Sequence, residues 1–303
     1  MLDFHAITLA DKEEAIRCAH AYSYPLCEHC FTDLFIWNMH YGTEICFYNG
    51  FMLLRMKSMD TGDTYYLAPV GDGDLGDALS AIEADAAAHD TPFRMISIPE
   101  EMIGRIEAVC PDRYSFTWSE DAADYVYLSE KLQTLSGKKL QSKRNLVNRF
   151  LINYEGRWSY EDISESNFQD ALNFHYKWCD INSCAMERAF LGETCAVARG
   201  LDNFRALDLH CGILRIDGEV VAFTMGCRST DDVFVVQIEK ADHNIPGAYQ
   251  MTNQQFVMRN CKDVKYINRE EDLGIEGLRK AKRSYYPEFL VKKFAAVVRE
   301  DAK

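Results

Sequence analysis

A two-part α/β protein, with helices and sheet layered in each part, is the fold class that this sequence predicts. Three observations carry that expectation. At 303 residues the chain exceeds one typical domain and suffices for two of about 130 to 170 residues. Period-2 apolar runs alternate with runs at helical spacing along the whole length, instead of all strands preceding all helices. The order of these runs in the first 130 residues returns in the remainder, which points to a duplicated unit. The expected division is 1–130 and 131–303, with no Pro/Gly/Ser-rich linker between the halves.

Residues 11–22 read as an amphipathic helix and 32–41 as an aromatic-rich second one. Strands at 44–48 and 51–57 flank Asn49-Gly50, the strongest two-residue hairpin signal, and 64–68 continues the sheet. An alanine-rich helix at 74–89, a strand at 93–98, a helix at 100–109 and strands at 114–118 and 125–128 close the first half. The second half opens with a helix at 138–154 and a strand at 158–162, followed by helices at 167–180 and 187–201. Strands at 207–216, 220–226 and 233–239, a helix at 248–260, a strand at 264–268, a helix at 275–282 and a last strand at 289–298 complete it.

Composition excludes several classes. With 48% hydrophobic and 26% charged residues the chain is an ordinary globular one, and no run approaches the ~18 apolar residues of a membrane span. The start, MLDFHAITLADKEEA, carries acids where a signal peptide carries a basic region, so a cytoplasmic location is expected. The 11 cysteines lack framework spacing and read as reduced, mostly buried thiols. Cys27-Glu28-His29-Cys30, with His20 upstream, resembles half a zinc site, but no second ligand pair follows, and no metal is expected. No GxSxG, Walker loop, GxGxxG or HExxH occurs, so serine-hydrolase, P-loop and dehydrogenase chemistry have no support. The four tryptophans fall in apolar periodic segments and read as core.

Charge is unevenly spread. Residues 1–130 hold 7 Lys/Arg against 23 Asp/Glu, whereas 131–303 hold 26 against 24. The acidic half argues against DNA as a partner; the second half is locally able to meet an anion. Lys131, Lys138, Lys139, Lys143, Arg144 and Arg149 fall within 131–150 with no acid among them. On the expected helix, Leu140, Val147, Leu151 and Tyr154 line one face and Lys138, Asn145 and Arg149 the other, with Lys139 and Lys143 beside them. A solvated lysine face is the plain explanation. Uncompensated repulsion over this stretch favours an anionic partner, with binding that weakens steeply with salt.

The densest chemistry lies in 265–287, KYINREEDLGIEGLRKAKRSYYP. A short buried strand there ends in five polar residues, at the kind of sheet edge where α/β sites are built, and a helix carrying Arg279, Lys280, Lys282 and Arg283 follows. This segment resembles the NREEDLG…GLRKAK.SY.P signature of a bacterial family related to the C-terminal domain of phosphatidylglycerol lysyltransferase. The stretches LSGKKLQSKRNLVNRF (135–150) and VVQIEKADHNIPGAYQMTNQQF (235–256) resemble the same family, with a fainter likeness at 31–37. The resemblance implies two tandem GNAT-like (acyl-CoA N-acyltransferase) domains, the first a degenerate support for the second, and kinship with Fem-type transferases that use aminoacyl-tRNA. It therefore implies aminoacyl-tRNA or acyl-coenzyme A as donor.

Candidate residues follow from these motifs. Acyl transfer to an amine needs the amine neutral, so a carboxylate must take a proton: Glu239 at one strand end, or Glu270, Glu271 or Asp272 at another, with nothing in the sequence to choose among them. Arg269 is a candidate for an oxyanion or a phosphate, and the resemblance implies Tyr285 as the proton donor to the leaving group. Lys138, Lys139, Lys143 and Arg144 are candidates for tRNA phosphates. The turn before the helix at 248–260, with Gly247, Ala248 and Tyr249, lies where GNAT folds hold the coenzyme A pyrophosphate on backbone amides. Asn244 and Tyr249 depart from the acetyltransferase pattern there, which weakens coenzyme A. Lys240, Asn253, Arg279 and Lys282 complete the expected donor-binding set. The expected activity is acyl or aminoacyl transfer to an amine or hydroxyl of a small molecule, peptide or lipid headgroup. A coenzyme A dependent N-acetyltransferase and a catalytically silent tRNA- or anion-binding module are the alternatives.

Overall fold

The structure is a computed structural model that describes residues 2–21, 24–58, 61–181 and 188–300. The expected helix positions at 22 and 187 lie outside the described residues. The chain divides into two compact units, 1–124 with 271–274 and 291–303, and 125–270 with 275–290.

Unit 1 runs β1 (His5–Ala6), α1 (Lys12–Ala21), α2 (Phe31–Tyr41), β2 (Glu44–Tyr48), β3 (Phe51–Lys57), β4 (Thr64–Leu67), β5 (Val70–Gly71), α3 (Leu75–Ala88), β6 (Arg94–Pro99), α4 (Glu100–Val109) and β7 (Tyr114–Trp118). Local chemistry explains the boundaries. Asn49 and Gly50 take φ of 45° and 85°, the left-handed pair that a tight hairpin between β2 and β3 requires. Asp74 caps α3 by accepting from the Asp77 amide at 3.0 Å. Leu75, Ala78, Leu79 and Ile82 then bury one stripe of α3 in the core with Phe51, Tyr66 and Met95.

Unit 2 comprises β8 (Asp124–Leu128), α5 (Ser129–Thr134), α6 (Gln141–Asn153), β9 (Trp158–Asp162), α7 (Phe168–Ile181), α8 (Arg188–Asp202), β10 (His210–Ile216), β11 (Glu219–Arg228), β12 (Val233–Ala241), α9 (Ala248–Asn260), β13 (Tyr266–Asn268), α10 (Glu276–Arg283) and β14 (Phe289–Val291). The final strand, β15 (Lys293–Val298), returns to the sheet of unit 1.

The two sheets have the same strand order. Unit 1 reads β1-β2-β3-β4-β6-β15-β7, with β5 beside β3; unit 2 reads β9-β10-β11-β12-β13-β8-β14. Each holds its parallel pair at the same place, β4 with β6 and β12 with β13. The duplication expected from element order is thus present in the topology, but the chain does not divide at a single cut after residue 130. The sixth place in the first sheet is filled by β15, which pairs with β6 through Phe294↔Ile98 and with β7 through Phe294↔Trp118. The corresponding place in the second sheet is filled by β8, the strand that follows unit 1 in sequence. The single strand expected at 289–298 is two strands in two sheets.

Both parallel pairings are short. β12 and β13 are in register only from Val233↔Tyr266 to Val235↔Asn268, whereas β12 runs on to Ala241. β4 and β6 pair at Tyr66↔Met95 and Leu67↔Ile96. Beyond these residues the strands part, leaving a wedge at their carboxyl ends, where open α/β sheets accommodate ligands.

Unit 1 also buries charge. The Lys293 ammonium, its side chain 4% exposed, lies 2.6 Å from Asp124, 2.8 Å from Glu28 and 3.3 Å from Glu271. It also donates to the Cys27 sulfur at 3.3 Å. Cys27, Asp124 and Glu271 have the spacing of a metal site, but an ammonium occupies the middle of the group. Burial works against the Lys293 charge, and Asp124 with its neighbours holds its pKa well up. Glu28 is held down at about 2 by Lys293 and by the Ser97 hydroxyl, against the effect of burial. Asp124 is raised to about 6, chiefly by burial.

Next to this group, His29 is buried and its Nδ1 makes no hydrogen bond in the protein. Burial, aided by Lys293 and opposed by Glu28, lowers its pKa from 6.5 to about 4. A base depressed in the folded state contributes stability that is fully present above 6.5 and is lost as pH falls towards 4, here about 3 kcal/mol. Asp124, raised to about 6, contributes the opposite slope over the same window, so the His29 loss is read as the difference between wild type and variant in urea unfolding between pH 7 and 4. His29→Gln should flatten the slope in that window; an unchanged slope would assign the acid sensitivity elsewhere.

Candidate active site

The wedge of unit 2 brings together side chains from β8, α6, β12, α9, the residue after β13 and the segment after α10. Glu239 stands near the end of β12 and Arg269 follows β13 directly, so the parting strands present them to each other at 2.8 Å. Both are nearly buried, with side-chain exposures of 10% and 12%. The second oxygen of Glu239 accepts from Asn253 Nδ2, on α9, at 2.8 Å. The Arg269 guanidinium stacks over Tyr285 at 5.0 Å and Tyr127 at 5.7 Å, and these two rings meet edge to face. On the other side the Lys143 ammonium sits 4.4 Å from the Tyr285 ring centroid.

Electrostatics here follow from burial. Burial works against the Arg269 charge, but Glu239, Tyr127 and Tyr285 hold its pKa up. Burial also raises Tyr285, with Arg269 opposing, so the phenol stays protonated. Lys143 is lowered, first by burial and then by Arg269. Three polar atoms in the cluster are buried and make no hydrogen bond within the protein: Arg269 Nη1, Asn253 Oδ1 and the Tyr285 hydroxyl. Gln250 approaches that hydroxyl without closing a hydrogen bond. Buried polar atoms are ordinarily satisfied, so a donor, an acceptor and a hydroxyl left open side by side are the mark of a site shaped for a polar ligand.

Not every residue expected at the site lies in this group. Glu270 turns out of the strand at a φ of 58°, and its carbonyl accepts from Lys282 Nζ at 3.0 Å and the Tyr125 amide at 3.1 Å. Lys282 is therefore a buried tie between α10 and this turn and is not placed to hold a phosphate. Asp272 is fully buried, caps the next turn by accepting from the Gly274 amide at 2.9 Å, and belongs to unit 1 with Glu271. Arg144 donates to the carbonyls of Leu135 at 2.5 Å and Gly137 at 3.2 Å, closing the end of α5. Lys240 covers the Trp178 ring at 3.8 Å. Arg279 is half-buried on α10.

Gly247 does have a special backbone, with φ of 91° at the N-terminus of α9. A Cβ there would collide with the Leu146 carbonyl oxygen and press on Phe150, so the glycine lets α6 pack against the start of α9. Ala248 is buried and Tyr249 half-buried against the same core. What remains open to an anion is Lys138, Lys139 and Arg149, all exposed. Lys139 lies 5.4 Å from the Tyr286 ring, which brings the start of α6 beside the basic end of α10. Tyr127 was missed in the sequence because it reads as an ordinary strand residue; only the fold sets its ring under Arg269.

Known proteins place this geometry in context. Residues 22–297 match the family described as phosphatidylglycerol lysyltransferase, C-terminal. The solved structure of a conserved protein of unknown function from Bacteroides thetaiotaomicron superposes with a TM-score of 0.93 at 38% identity, covering 99% of this chain and 100% of that one. A tandem GNAT protein from the clavulanic acid biosynthesis pathway superposes with a TM-score of 0.51 at 10% identity over 98% of both chains, a likeness of fold. An uncharacterised protein of Mycoplasmoides gallisepticum is 27% identical over 186 residues, 59% of this chain and 57% of its own length. The chain thus spans a little over half of that curated relative. The fold is tandem GNAT-like, and among the described residues no helix is long and apolar enough to cross a membrane.

Proposed function

From the premise that the chain belongs to the family of the phosphatidylglycerol lysyltransferase C-terminal domain, whose family and fold point to acyl transfer, we propose that unit 2 moves an aminoacyl group from tRNA to an amine or hydroxyl acceptor. The observation that carries this reading is the open triad of Arg269 Nη1, Asn253 Oδ1 and the Tyr285 hydroxyl in the wedge. In this mechanism the acceptor attacks the ester carbonyl, and the oxyanion that forms accepts a hydrogen bond from Arg269 Nη1, held in place by Glu239. Collapse breaks the bond to the ribose oxygen, which takes the Tyr285 proton. The phenolate left behind is stabilised by Arg269 and takes up the proton that the acceptor releases, which restores the phenol.

The leaving group separates this from the coenzyme A alternative. A thiol has an ordinary pKa near ~8.5, so a coenzyme A thiolate gains less from an acid than a ribose alkoxide does. A protonated phenol beside a guanidinium suits the alkoxide. Packing of Gly247 against α6 gives that glycine a structural reason that does not involve a pyrophosphate. Lys138, Lys139 and the adjoining end of α10 would meet tRNA phosphates, few enough that binding falls off quickly with salt. The acceptor class, whether small molecule, peptide or lipid headgroup, and a cytoplasmic setting are parts of the same proposal.

The test pairs binding with turnover. Deacylated tRNA should shift the protein at low salt, lose most binding at physiological salt, ignore added coenzyme A, and fail to shift a Lys138→Glu/Lys139→Glu variant. Labelled aminoacyl-tRNA with a primary amine should then give amide product, and Tyr285→Phe should lower kcat by about 10² to 10⁴. Absence of tRNA binding at low salt removes this donor; turnover of acetyl-coenzyme A instead would establish the N-acetyltransferase reading. Tight tRNA binding without transfer to any acceptor would leave a silent binding module.

A further inference from the structure

Unit 1 holds a cavity of about 600 Å³ at the wedge where β4 and β6 part, the place that corresponds in sheet order to the parting of β12 and β13. Leu67 and Ile96, the last residues in register, form its edge together with Ser97. The volume is that of a small-molecule site, and open α/β sheets receive ligands at this place. We propose that the cavity binds an uncharged aromatic molecule, a fused-ring body carrying one hydroxyl.

The charged part of the wall argues against a charged ligand. Lys293 stands within 3.3 Å of Glu28, Asp124 and Glu271 and balances the group they form. The Ser97 hydroxyl donates to Glu28 at 2.7 Å, and Asp124 accepts from the Cys27 amide at 2.9 Å. Asp33 and Asp121 are engaged within the protein as well. Among the described lining residues, every charged side chain thus already has its partner. An ammonium or a carboxylate entering here would lose its hydration and find no counter-charge to replace it, a cost that a neutral molecule does not meet.

The rest of the wall supplies rings. Trp37 and Tyr41 lie one turn apart on α2, with ring centroids 6.1 Å from each other. Phe294 and Trp118 stand opposite one another on β15 and β7, and so share a face of the sheet. Both pairs line the cavity, so a ligand there meets rings from two separate elements, and flat rings gain most from such offset or edge-to-face contact. Leu34 and Met56 add apolar area. One polar group is also provided for: the Ser119 hydroxyl, on the wall, accepts from the Asp121 amide at 3.2 Å and keeps its own proton to donate. Trp118 is 48% exposed, which departs from the core packing expected of the tryptophans and leaves apolar area for a ligand to cover. Unit 1 is then a second ligand-binding body and not merely a support.

Four probes test this on the unaltered protein, by calorimetry and saturation-transfer NMR at neutral pH: 2-naphthaleneethanol, 2-naphthaleneethylamine, 2-naphthaleneacetate and 1-octanol. The naphthalene alcohol is expected to bind saturably, about tenfold more tightly than the amine or the acid, and more tightly than the aliphatic alcohol. Ala295→Phe, at a half-buried position on the wall, should fill the cavity and weaken the naphthalene alcohol about tenfold or more in a protein that still folds. An amine or acid that binds as tightly as the naphthalene alcohol, octanol that matches it, or no saturable binding below about 1 mM would each overturn the proposal. So would a folded Ala295→Phe protein that binds as the wild type does. The inference goes beyond transfer by unit 2 and is read independently of it: Tyr285→Phe should bind the naphthalene alcohol unchanged, and loss of binding there would put the ligand in unit 2 and overturn the assignment to this cavity.

Discussion

Lys293→Met is expected to destabilise unit 1 by about 3–5 kcal/mol, a large share of the roughly 5–15 kcal/mol that holds a domain folded. The ammonium is the shared partner of Asp124, Glu28 and Glu271, and Asp124 is fully buried. Removing it leaves like charges facing one another in a poorly solvated site, where each carboxylate then favours its protonated form. The pH dependence carries the diagnosis. In the wild type, Glu28 at about 2 contributes stability that is present above its ordinary 4.5 and is lost as pH falls through 2. Without Lys293 the carboxylates move the other way: a raised acid is stabilising when protonated, so the variant regains stability as pH is lowered from 7.5 to 5. Urea midpoints of the two proteins should therefore converge towards pH 5, and Lys293→Met/Asp124→Asn should recover part of the loss at pH 7.5. A deficit below about 1 kcal/mol, or one that does not vary with pH, would mean that the ammonium is not what balances the group.

The elements around this cluster were legible because their signals are local. Asn49-Gly50 announces its hairpin wherever the chain goes, and the apolar stripe of α3 needs only a core to face. The placement of β15 was not legible. Residues 289–298 form one continuous strand-like run, and which sheet receives each part depends on partners more than a hundred residues away. Nothing local marks Lys293 as buried, and only the assembled sheet shows that Asp124 and Glu28 wait there.

At the candidate site the same division holds. Glu239 and Arg269 could be singled out because polar residues at strand ends lie where sheets part. Glu270 and Asp272 lie within three residues of Arg269, yet left-handed backbone at Glu270, Leu273 and Gly274 sends their side chains and carbonyls in different directions. Arg144 and Lys282 went astray for another reason. Carbonyls at helix ends and turns need donors, and the nearest long basic side chain supplies one, so a basic residue in a motif is not by itself an available cation.

Arg269→Gln is expected to reduce kcat for aminoacyl transfer by about 10² to 10³, the cost of removing one oxyanion donor, with a much smaller change in KM. The same substitution leaves Glu239 buried without its ion pair and should cost about 3–5 kcal/mol of stability in unit 2. These two effects have different origins and can be separated. Glu239→Gln keeps the Asn253 contact and the positive charge, so its stability loss should be similar while a part of the transfer rate survives, because Nη1 still faces the wedge. The double variant Arg269→Met/Glu239→Leu removes both buried charges; it should recover most of the lost stability and yet stay inactive. Recovery of turnover together with stability would show that the pair serves only to hold β12 and β13 at their parting, and the oxyanion role of Arg269 would then have to be given up. A double variant that is stable, inactive and still shifts tRNA at low salt would place the missing function at the guanidinium itself, since the exposed Lys138 and Lys139 just before α6, which would meet the nucleic acid, are untouched.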